Sequence, residues 1–210
     1  MSQIFRKLSR DLPAMLGLGI VLFVLVIAIF GPLLAPYPED AAASHLARRL
    51  RPPSAAFPFG TDNLGRDIFS RVILGARGAL SIALTVVSTA MLIGVPLGLI
   101  AGYRGGWLSE SIMRVTDVVL AIPQLILALA LAQLMSPSLE SAMLALSLTY
   151  WPYFTRIVYA ETRRLSSSLF VDALRGIGAG SGRIVFLHIL PNALSPVIVR
   201  ATIGLGFTIL

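Results

Sequence analysis

The sequence has no cysteine, only two histidines, and a charged fraction of 13% among its 210 residues. The absence of cysteine excludes disulfides, thiolate metal sites and cysteine nucleophiles. A soluble domain averages about a quarter charged residues, so this low fraction and a hydrophobic content of 56% predict a protein of the lipid bilayer. The sequence contains no nucleophile–base pair, histidine cluster or phosphate-binding G-x-x-x-x-G-K-[ST] loop, which predicts no enzyme active site, no metal and no cofactor.

An excess of basic residues gives the chain a formal net charge of +7. These residues are scattered between apolar runs and do not form one patch. In a protein with many spans, such charge more often sets the orientation beside anionic lipids. We therefore expect the lipid bilayer as a partner, and no nucleic acid.

Long apolar runs predict an all-α, polytopic membrane bundle. The first run, at 14–34, is about 20 residues long, which is enough to span a bilayer. It is longer than the roughly 7–15-residue core of a signal peptide and has no clear A-x-A cleavage site, so a retained helix is favoured over a cleaved leader. The five predicted spans lie at 14–34, about 79–101, about 116–135, about 139–154 and 194–210.

The distribution of charge predicts which segments face which side of the membrane. Residues 1–13 carry three basic side chains ahead of the first run, so they are predicted to be cytoplasmic. The proline-containing segment 35–78 is then an extracytoplasmic loop, and 79–210 form the core. Six arginines in that loop oppose the positive-inside rule, but the charge at the first helix usually dominates.

A polar island at about 161–192 interrupts the apolar runs and predicts a short helix followed by a turn. Phe170, Ala173, Leu174 and Ile177 follow the i, i+3, i+4, i+7 spacing of one apolar helix face. Serines just upstream offer an N-cap, and three closely spaced glycines downstream allow a turn. A small amphipathic helix of this kind suits the groove of another protein, although an ordinary connector between spans is the alternative.

The island resembles the EAA loop of ABC importer permeases, in which an acidic-Ala-Ala triplet precedes a fixed glycine and a hydrophobic-x-Leu-Pro ending. The matching positions are Asp172, Ala173, Gly178, Leu190 and Pro191. The sequence departs from that pattern at two places, since Asp172 replaces glutamate and Leu174 replaces the third small residue. Its HILPN ending resembles the dipeptide, oligopeptide and nickel branch of the family.

A second stretch resembles the GTDxxGRDxxSR segment of the peptide-permease branch. The matching residues are Gly60, Thr61, Asp62, Gly65, Arg66, Asp67, Ser70 and Arg71. Asp62, Asp67 and His45 could also suggest a metal site, but no ligand-like spacing accompanies them. We therefore expect a salt-bridged loop here, followed by an amphipathic helix that leads into the second span.

The resemblance implies a membrane-spanning subunit of an ATP-driven ABC importer in the bacterial inner membrane, forming a pathway for di- or oligopeptides. It also implies a second homologous permease subunit, two ABC ATP-binding subunits and an extracytoplasmic solute-binding protein. A sixth span is implied too, so we expect a C-terminally truncated product or a fragment with impaired transport. The resemblance also places the EAA-like loop at about 161–192 in the cytoplasm, where an ATP-binding subunit can reach it. The residues expected to couple to that subunit are Phe170, Asp172, Ala173, Leu174, Ile177, Gly178, Leu190 and Pro191.

Other transporters and a non-transport role remain as alternatives. Nickel and glutathione permeases are look-alikes of the same family. A secondary transporter driven by an ion gradient would normally show repeated broken helices and buried acids at mid-membrane, which the sequence lacks. A membrane scaffold without transport would not require the EAA spacing.

A few residues within the apolar runs are candidates for the pathway. Arg200 lies in the fifth run, where an unpaired charge is expensive, although snorkelling to the cytoplasmic interface is an equal alternative. Asp117 is interpreted as a helix-start residue near the interface at the beginning of the third span. Pro123 and Pro152 can kink their spans around a pathway or serve in packing alone.

Overall fold

A computed structural model describes residues 11–209, and within them the chain forms helices and one isolated β-bridge. The longer helices are α1 (Leu12–Leu34), α2 (Ile68–Arg104), α3 (Gly106–Ala121), α4 (Gln124–Gln133), α5 (Leu139–Ser166), α6 (Leu169–Gly176) and α7 (Ser181–Ile209). Two short 3₁₀-helices, Pro38–Ala41 and Leu46–Arg48, lie between α1 and α2. The predicted all-α class is confirmed. Arg6, Lys7 and Arg10, on which the cytoplasmic placement of the N-terminus rests, lie outside the described residues, as does Leu210.

Three of these helices, α1, α2 and α7, are long and apolar enough to cross a membrane. Two of them extend well beyond the predicted apolar runs, since α2 begins at Ile68 and α7 begins at Ser181. Charged residues, glycine or proline interrupt the added turns, so a search for continuous apolar runs does not include them. The predicted amphipathic helix before the second span is the first part of α2.

The predicted third span is broken in the middle. Helices α3 and α4 together are apolar enough for one span, but the chain bends by 90° between them. The break falls at Ile122 and Pro123, where Ile122 has an extended backbone with ψ of 131°. Proline disfavours a helical conformation in the preceding residue and has no N–H to donate, which accounts for the break. Counting the bent pair as one span gives up to four spans in residues 11–209, so the predicted five are not confirmed.

The chain divides into two compact units, one ending at Ser81 and the other beginning at Ile82. The first contains α1, the loop after it and the start of α2. Within this unit the backbone of Gly31 in α1 lies close to Ile73 in α2, because a Cβ placed on Gly31 would be 3.3 Å from the Ile73 carbonyl oxygen. The absence of a side chain at Gly31 therefore allows the two helices to pack together.

The second unit is built around α5, which lies against α2 through a row of glycines. A Cβ on Gly94 would lie 2.5 Å from the carbonyl oxygen of Trp151, and a Cβ on Gly98 would lie 2.7 Å from the Cβ of Val158. A further glycine one turn on, Gly102, makes an equally close approach. The core around this contact consists of Val87, Ala90, Leu99, Tyr150, Phe154, Val158, Leu165, Val171, Ile184, Ile189 and Val197.

Candidate functional site

The polar island forms α6, a helix of 8 residues between α5 and α7. Ser168 occupies the N-cap position, as the sequence predicts, but its hydroxyl does not cap the helix. The hydroxyl donates instead to the carbonyl of Leu165 at 2.6 Å, and the Ser168 carbonyl accepts from the N–H groups of Val171 and Asp172. The serine therefore ties the start of α6 to the end of α5.

One side of α6 is anchored in the core of the second unit. Val171 is 0% exposed and Leu174 packs partly buried against the same core. Full burial of a valine contributes about 1.5–3 kcal/mol, which is a large share of what a helix this short needs to stay in place. The sequence prediction that Phe170, Ala173, Leu174 and Ile177 form one apolar face did not include Val171, which lies between two of them.

The opposite side of α6 presents apolar side chains that have little cover within the chain. Leu169 and Ile177 are 87% and 81% exposed, and Phe170 and Ala173 are exposed as well. We call Leu169, Phe170, Ala173 and Ile177 the α6 outer face. Contiguous exposed apolar residues rimmed by polar ones are typical of a protein-interaction surface.

A glycine turn fixes the end of α6. Gly178 has φ of +80°, in the left-handed region that favours glycine. Its N–H donates to the Arg175 carbonyl at 2.9 Å, and the N–H of Ala179 donates to the Leu174 carbonyl at 3.0 Å. These two hydrogen bonds are those of a Schellman motif. The predicted turn is therefore present, but among the three downstream glycines only Gly178 has a positive φ.

Charged groups on α6 link it to its neighbours. Asp172 accepts a hydrogen bond from Arg175 at 3.0 Å, and both side chains are substantially exposed. A pair this exposed stabilises the helix little, so Asp172 is accessible to another molecule. Arg175 also donates to the carbonyl of Ser166 and lies 5.6 Å from the ring centroid of Tyr103. Arg175 was missed by sequence reasoning, although a basic residue in the last turn of a helix is the expected stabilising pattern.

The HILPN segment lies beside α6. Residues Ile184–Ile189 of α7 form a π-helical stretch, and the N–H of Leu190 donates to the carbonyl of Val185. Because Pro191 has no N–H to donate and its ring crowds the preceding turn, a widened turn before it accommodates the proline. The rings of Phe170 and His188 meet edge to face at 5.9 Å. Leu190 packs against the core and Pro191 is exposed, so the structure brings this part of the motif close to α6.

The second motif forms a compact turn in the first unit. The Asp62 carboxylate accepts hydrogen bonds from the N–H groups of Leu64 and Arg66 and from the guanidinium groups of Arg66 and Arg71. Desolvation raises the pKa of Asp62, but the backbone N–H bonds and the Arg66 guanidinium outweigh it and lower that pKa to about 2. Asp62 is therefore ionised at neutral pH, as the predicted salt-bridged loop requires.

The remaining motif residues hold the loop onto the start of α2. Buried Asp67 accepts from the N–H and hydroxyl of Ser70, and its own N–H donates to buried Asp40 at 2.7 Å. His45 lies 3.1 Å from the other oxygen of Asp40. Gly65 has φ of +75°, and a Cβ there would lie 1.8 Å from the His45 carbonyl oxygen, so only glycine fits. Within residues 11–209 no cluster of three potential metal ligands is found.

Arg200 lies in α7 against two aromatic rings of α5. Its guanidinium carbon is 4.4 Å from the ring centroid of Tyr153 and 5.4 Å from that of Tyr150. Its Nε atom is buried without a hydrogen-bond partner, and none of the ion pairs found in residues 11–209 includes it. Cation–π contacts contribute about 2 kcal/mol when desolvated, so the two rings partly stabilise this half-buried guanidinium.

The other candidates from the apolar runs lie at separate places in the structure. The sequence interpretation of Asp117 as a helix-start residue is wrong. Asp117 lies near the end of α3 and pairs with Arg156 of α5 at 2.5 Å. Pro123 stands at the break between α3 and α4, and Pro152 is buried within α5, which continues through it. The structure does not bring Pro123, Pro152 and Arg200 to one described cavity.

Two known protein families match this chain. The family described as "Binding-protein-dependent transport system inner membrane component" matches residues 94–210, and the "N-terminal TM domain of oligopeptide transport permease C" matches residues 1–53. The chain is 42% identical to the dipeptide transport system permease protein DppC of Alkalihalophilus pseudofirmus, over 98% of this chain and 67% of that protein.

Two further relatives have similar names. The chain is 40% identical to the probable D,D-dipeptide transport system permease protein DdpC of Escherichia coli, over 91% of this chain and 63% of that protein. It is 36% identical to the oligopeptide transport system permease protein OppC of Bacillus subtilis, over 90% of this chain and 62% of that protein. The chain thus spans a little under two thirds of the length of these two relatives.

Proposed function

The chain belongs to the family of binding-protein-dependent transport system inner membrane components, and on that premise we propose that it forms part of the pathway of an ATP-driven importer for di- or oligopeptides. It is a multi-pass inner membrane protein. The names of the relatives, which are dipeptide and oligopeptide permeases, support the substrate class. Family membership favours this function over a secondary transporter driven by an ion gradient.

The observation that carries the proposal is the α6 outer face. An ATP-driven importer without a phosphate-binding loop of its own must receive mechanical work from an ATP-binding subunit. A short helix that is anchored on one side and apolar on the other is suited to bind in a groove of that subunit. On this proposal Asp172 makes polar contacts at the edge of the groove, and Ala173 allows close approach.

The anchoring of α6 offers a route for coupling. Val171 is buried in the same core as Val158 of α5 and Ile189 of α7. A displacement of α6 by its partner would therefore press on two long helices at once, because packed cores move as rigid bodies more readily than they deform. We propose that this contact transmits the ATP-driven movement to the transport pathway.

The assembly and the span count are also proposals. The importer would contain a second homologous permease subunit, two ABC ATP-binding subunits and an extracytoplasmic solute-binding protein. ATP would be hydrolysed on the ATP-binding subunits. Helix α5 would act as a span although its apolar part is short, giving five spans with the bent α3–α4 pair.

Introducing a negative charge on the α6 outer face tests the proposed docking. We expect Leu169→Glu and Ile177→Glu each to reduce co-purification of the ATP-binding subunit at least about tenfold, because an unpaired carboxylate buried in an apolar groove is costly. Both side chains are exposed within the chain, so membrane accumulation is expected to stay unchanged. Co-purification is measured from detergent-solubilised membranes, together with ATP-dependent uptake of trialanine.

Ser181→Glu is the matched control for these variants. Ser181 is exposed and lies shortly after α6, so it receives the same charge outside the α6 outer face. It is expected to co-purify the ATP-binding subunit as the wild-type chain does. If both the Leu169 and the Ile177 variants co-purified the ATP-binding subunit as well as the wild-type chain does, α6 would not be the docking helix.

Cysteine labelling tests the proposed topology. The sequence has no cysteine of its own, so single cysteines report without background. Ala55 in the loop after α1 and Ser181 beside α6 are both exposed. We expect a membrane-impermeant maleimide to label Ala55→Cys from outside intact cells and Ser181→Cys only after the membrane is opened. Labelling of both from the same side would contradict the topology.

A further inference from the structure

The Arg200 guanidinium has more N–H donors than it has hydrogen-bond acceptors around it. A guanidinium carries five N–H donors in one plane and no acceptor. No hydrogen bond from Arg200 to another described residue is found, and its Nε is buried without a partner. The two tyrosine rings interact with its charge, but a ring face does not satisfy in-plane N–H donors as an oxygen does. The site therefore lacks an acceptor for these donors.

The carboxylates of the second unit that form ion pairs are paired with other arginines. Asp117 binds Arg156, Glu161 binds Arg164 and Asp172 binds Arg175, at 2.5 to 3.0 Å. None of these ion pairs in the described part of the chain involves Arg200. A positive charge without a paired acid within a candidate membrane span indicates a functional group.

We propose that Arg200 is a binding site for a carboxylate of the transported solute, with Tyr150 and Tyr153 holding the guanidinium in place. This rests on the proposed function and assigns the solute's C-terminal carboxylate as the ligand. The planar fork of arginine binds a carboxylate through two parallel N–H···O bonds. Such a ligand supplies the negative charge and the acceptors that the site lacks.

The contact with two tyrosine rings favours a ligand that binds reversibly, rather than a permanent ion-pair partner. A cation held on the faces of Tyr150 and Tyr153 is stabilised without an acid, at 5.4 and 4.4 Å from the two ring centroids. A transport pathway needs sites that bind well enough for the solute to enter and weakly enough for it to leave. Tyrosine faces stabilise the cation between transport events, which a site with a fixed carboxylate would not need.

The test compares two probes in the complete transporter, assembled with its partner subunits in proteoliposomes. The probes are trialanine, which has a free C-terminal carboxylate, and trialanine amide, which has the same ammonium and side chains but no carboxylate. Arg200→Gln is expected to lower ATP-dependent uptake of trialanine about tenfold or more, the effect of losing charge-assisted hydrogen bonds. Uptake of the amide is expected to change less than about twofold.

Two further variants, Arg200→Lys and Arg156→Gln, serve as comparisons for Arg200→Gln. Arg200→Lys keeps the charge but loses the planar fork, so its trialanine uptake should lie between those of the wild type and Arg200→Gln. If Arg200→Gln fails to accumulate, the comparison of Arg200→Lys with the wild type is the test. Arg156→Gln removes a cation that already pairs with Asp117, so it should affect both probes equally.

Three results would overturn the proposal. Equal uptake of trialanine and its amide by the wild-type transporter would show that no carboxylate is recognised. An equal loss of both probes in Arg200→Gln would show that Arg200 does not recognise the solute carboxylate, and loss of the second permease subunit from that complex would place the acceptor for Arg200 on that subunit. Absence of any ATP-dependent uptake by the wild-type transporter would contradict the proposed function itself, and the carboxylate site with it.

Discussion

Replacing Gly98 by valine is expected to destabilise the second unit by about 3 kcal/mol or more, at the upper end of the cost of overpacking a core. A Cβ at this position would lie 2.7 Å from the Val158 Cβ and 2.8 Å from the Thr155 carbonyl oxygen. A backbone oxygen cannot rotate away as a side chain can, so α2 and α5 would have to separate.

Separation at Gly98 would also weaken the neighbouring contacts. Gly94 lies one turn away in the same row, and the Thr155 hydroxyl donates to the Gly94 carbonyl at 3.2 Å. Helix association in a bilayer depends on close van der Waals packing because lipid is as apolar as the helices are. We therefore expect one methyl-bearing substitution to disturb the whole α2–α5 contact, seen as poor accumulation and earlier thermal unfolding in detergent.

Gly78→Val provides the comparison for this variant. Gly78 is in the same helix, but a Cβ there meets nothing within 4 Å. The intrinsic helix propensity changes in the same way at both positions, so the difference between the two variants isolates the packing. Equal thermal stability of the Gly98 and Gly78 variants would show that the close approach does not hold the helices together.

The sequence predicted the helices but not their lengths. Apolar runs identified α1 and the apolar parts of α2, α5 and α7, because hydropathy reports burial in lipid. It could not reveal that α5 continues to Ser166 or that α7 begins at Ser181, since polar residues, glycine or proline interrupt the apolar run in those turns. The break at Pro123 was foreseeable as a kink, but a 90° bend depends on tertiary packing.

The candidate site shows the same division between local and long-range information. Gly178 and the N-cap position of Ser168 were predictable because turns and caps follow from local sequence. The burial of Val171 was not predictable. Val171 and Leu174 have the same i, i+3 spacing as Phe170 and Ala173, so either pair could form the buried face. Only the packing of α6 on α5 and α7 decides which face is buried. The pairing of Asp117 with Arg156 is likewise a contact between distant parts of the chain.

Replacing Gly178 by valine is expected to abolish most of the association with the ATP-binding subunit while leaving membrane insertion intact. Gly178 has φ of +80°, and a β-branched residue there costs about 1–3 kcal/mol. The chain can relieve this strain by opening the turn, which gives up the hydrogen bonds from Gly178 and Ala179 to the end of α6.

The strain in the Gly178 variant acts on a weakly held element. Helix α6 is only 8 residues long and depends on Val171 and Leu174 for its anchoring. An isolated helix of this length is not stable in water, so the turn contributes to holding the α6 outer face in its docking position. A shift of about 1.4 kcal/mol already lowers the equilibrium constant for the docking form tenfold, and co-purification of the ATP-binding subunit measures it.

Two companion variants separate the backbone effect from the added side chain. Asparagine tolerates the left-handed region, so Gly178→Asn is expected to keep most of the association. Gly180→Val adds the same side chain in open space on a backbone with φ of −67°, and it should behave as the wild type. If Gly178→Val co-purified the ATP-binding subunit normally, the turn would not position α6. If Gly180→Val lost the association as fully as Gly178→Val, bulk near the helix rather than backbone conformation would be responsible, because both substitutions add the same side chain and only Gly178 has a positive φ.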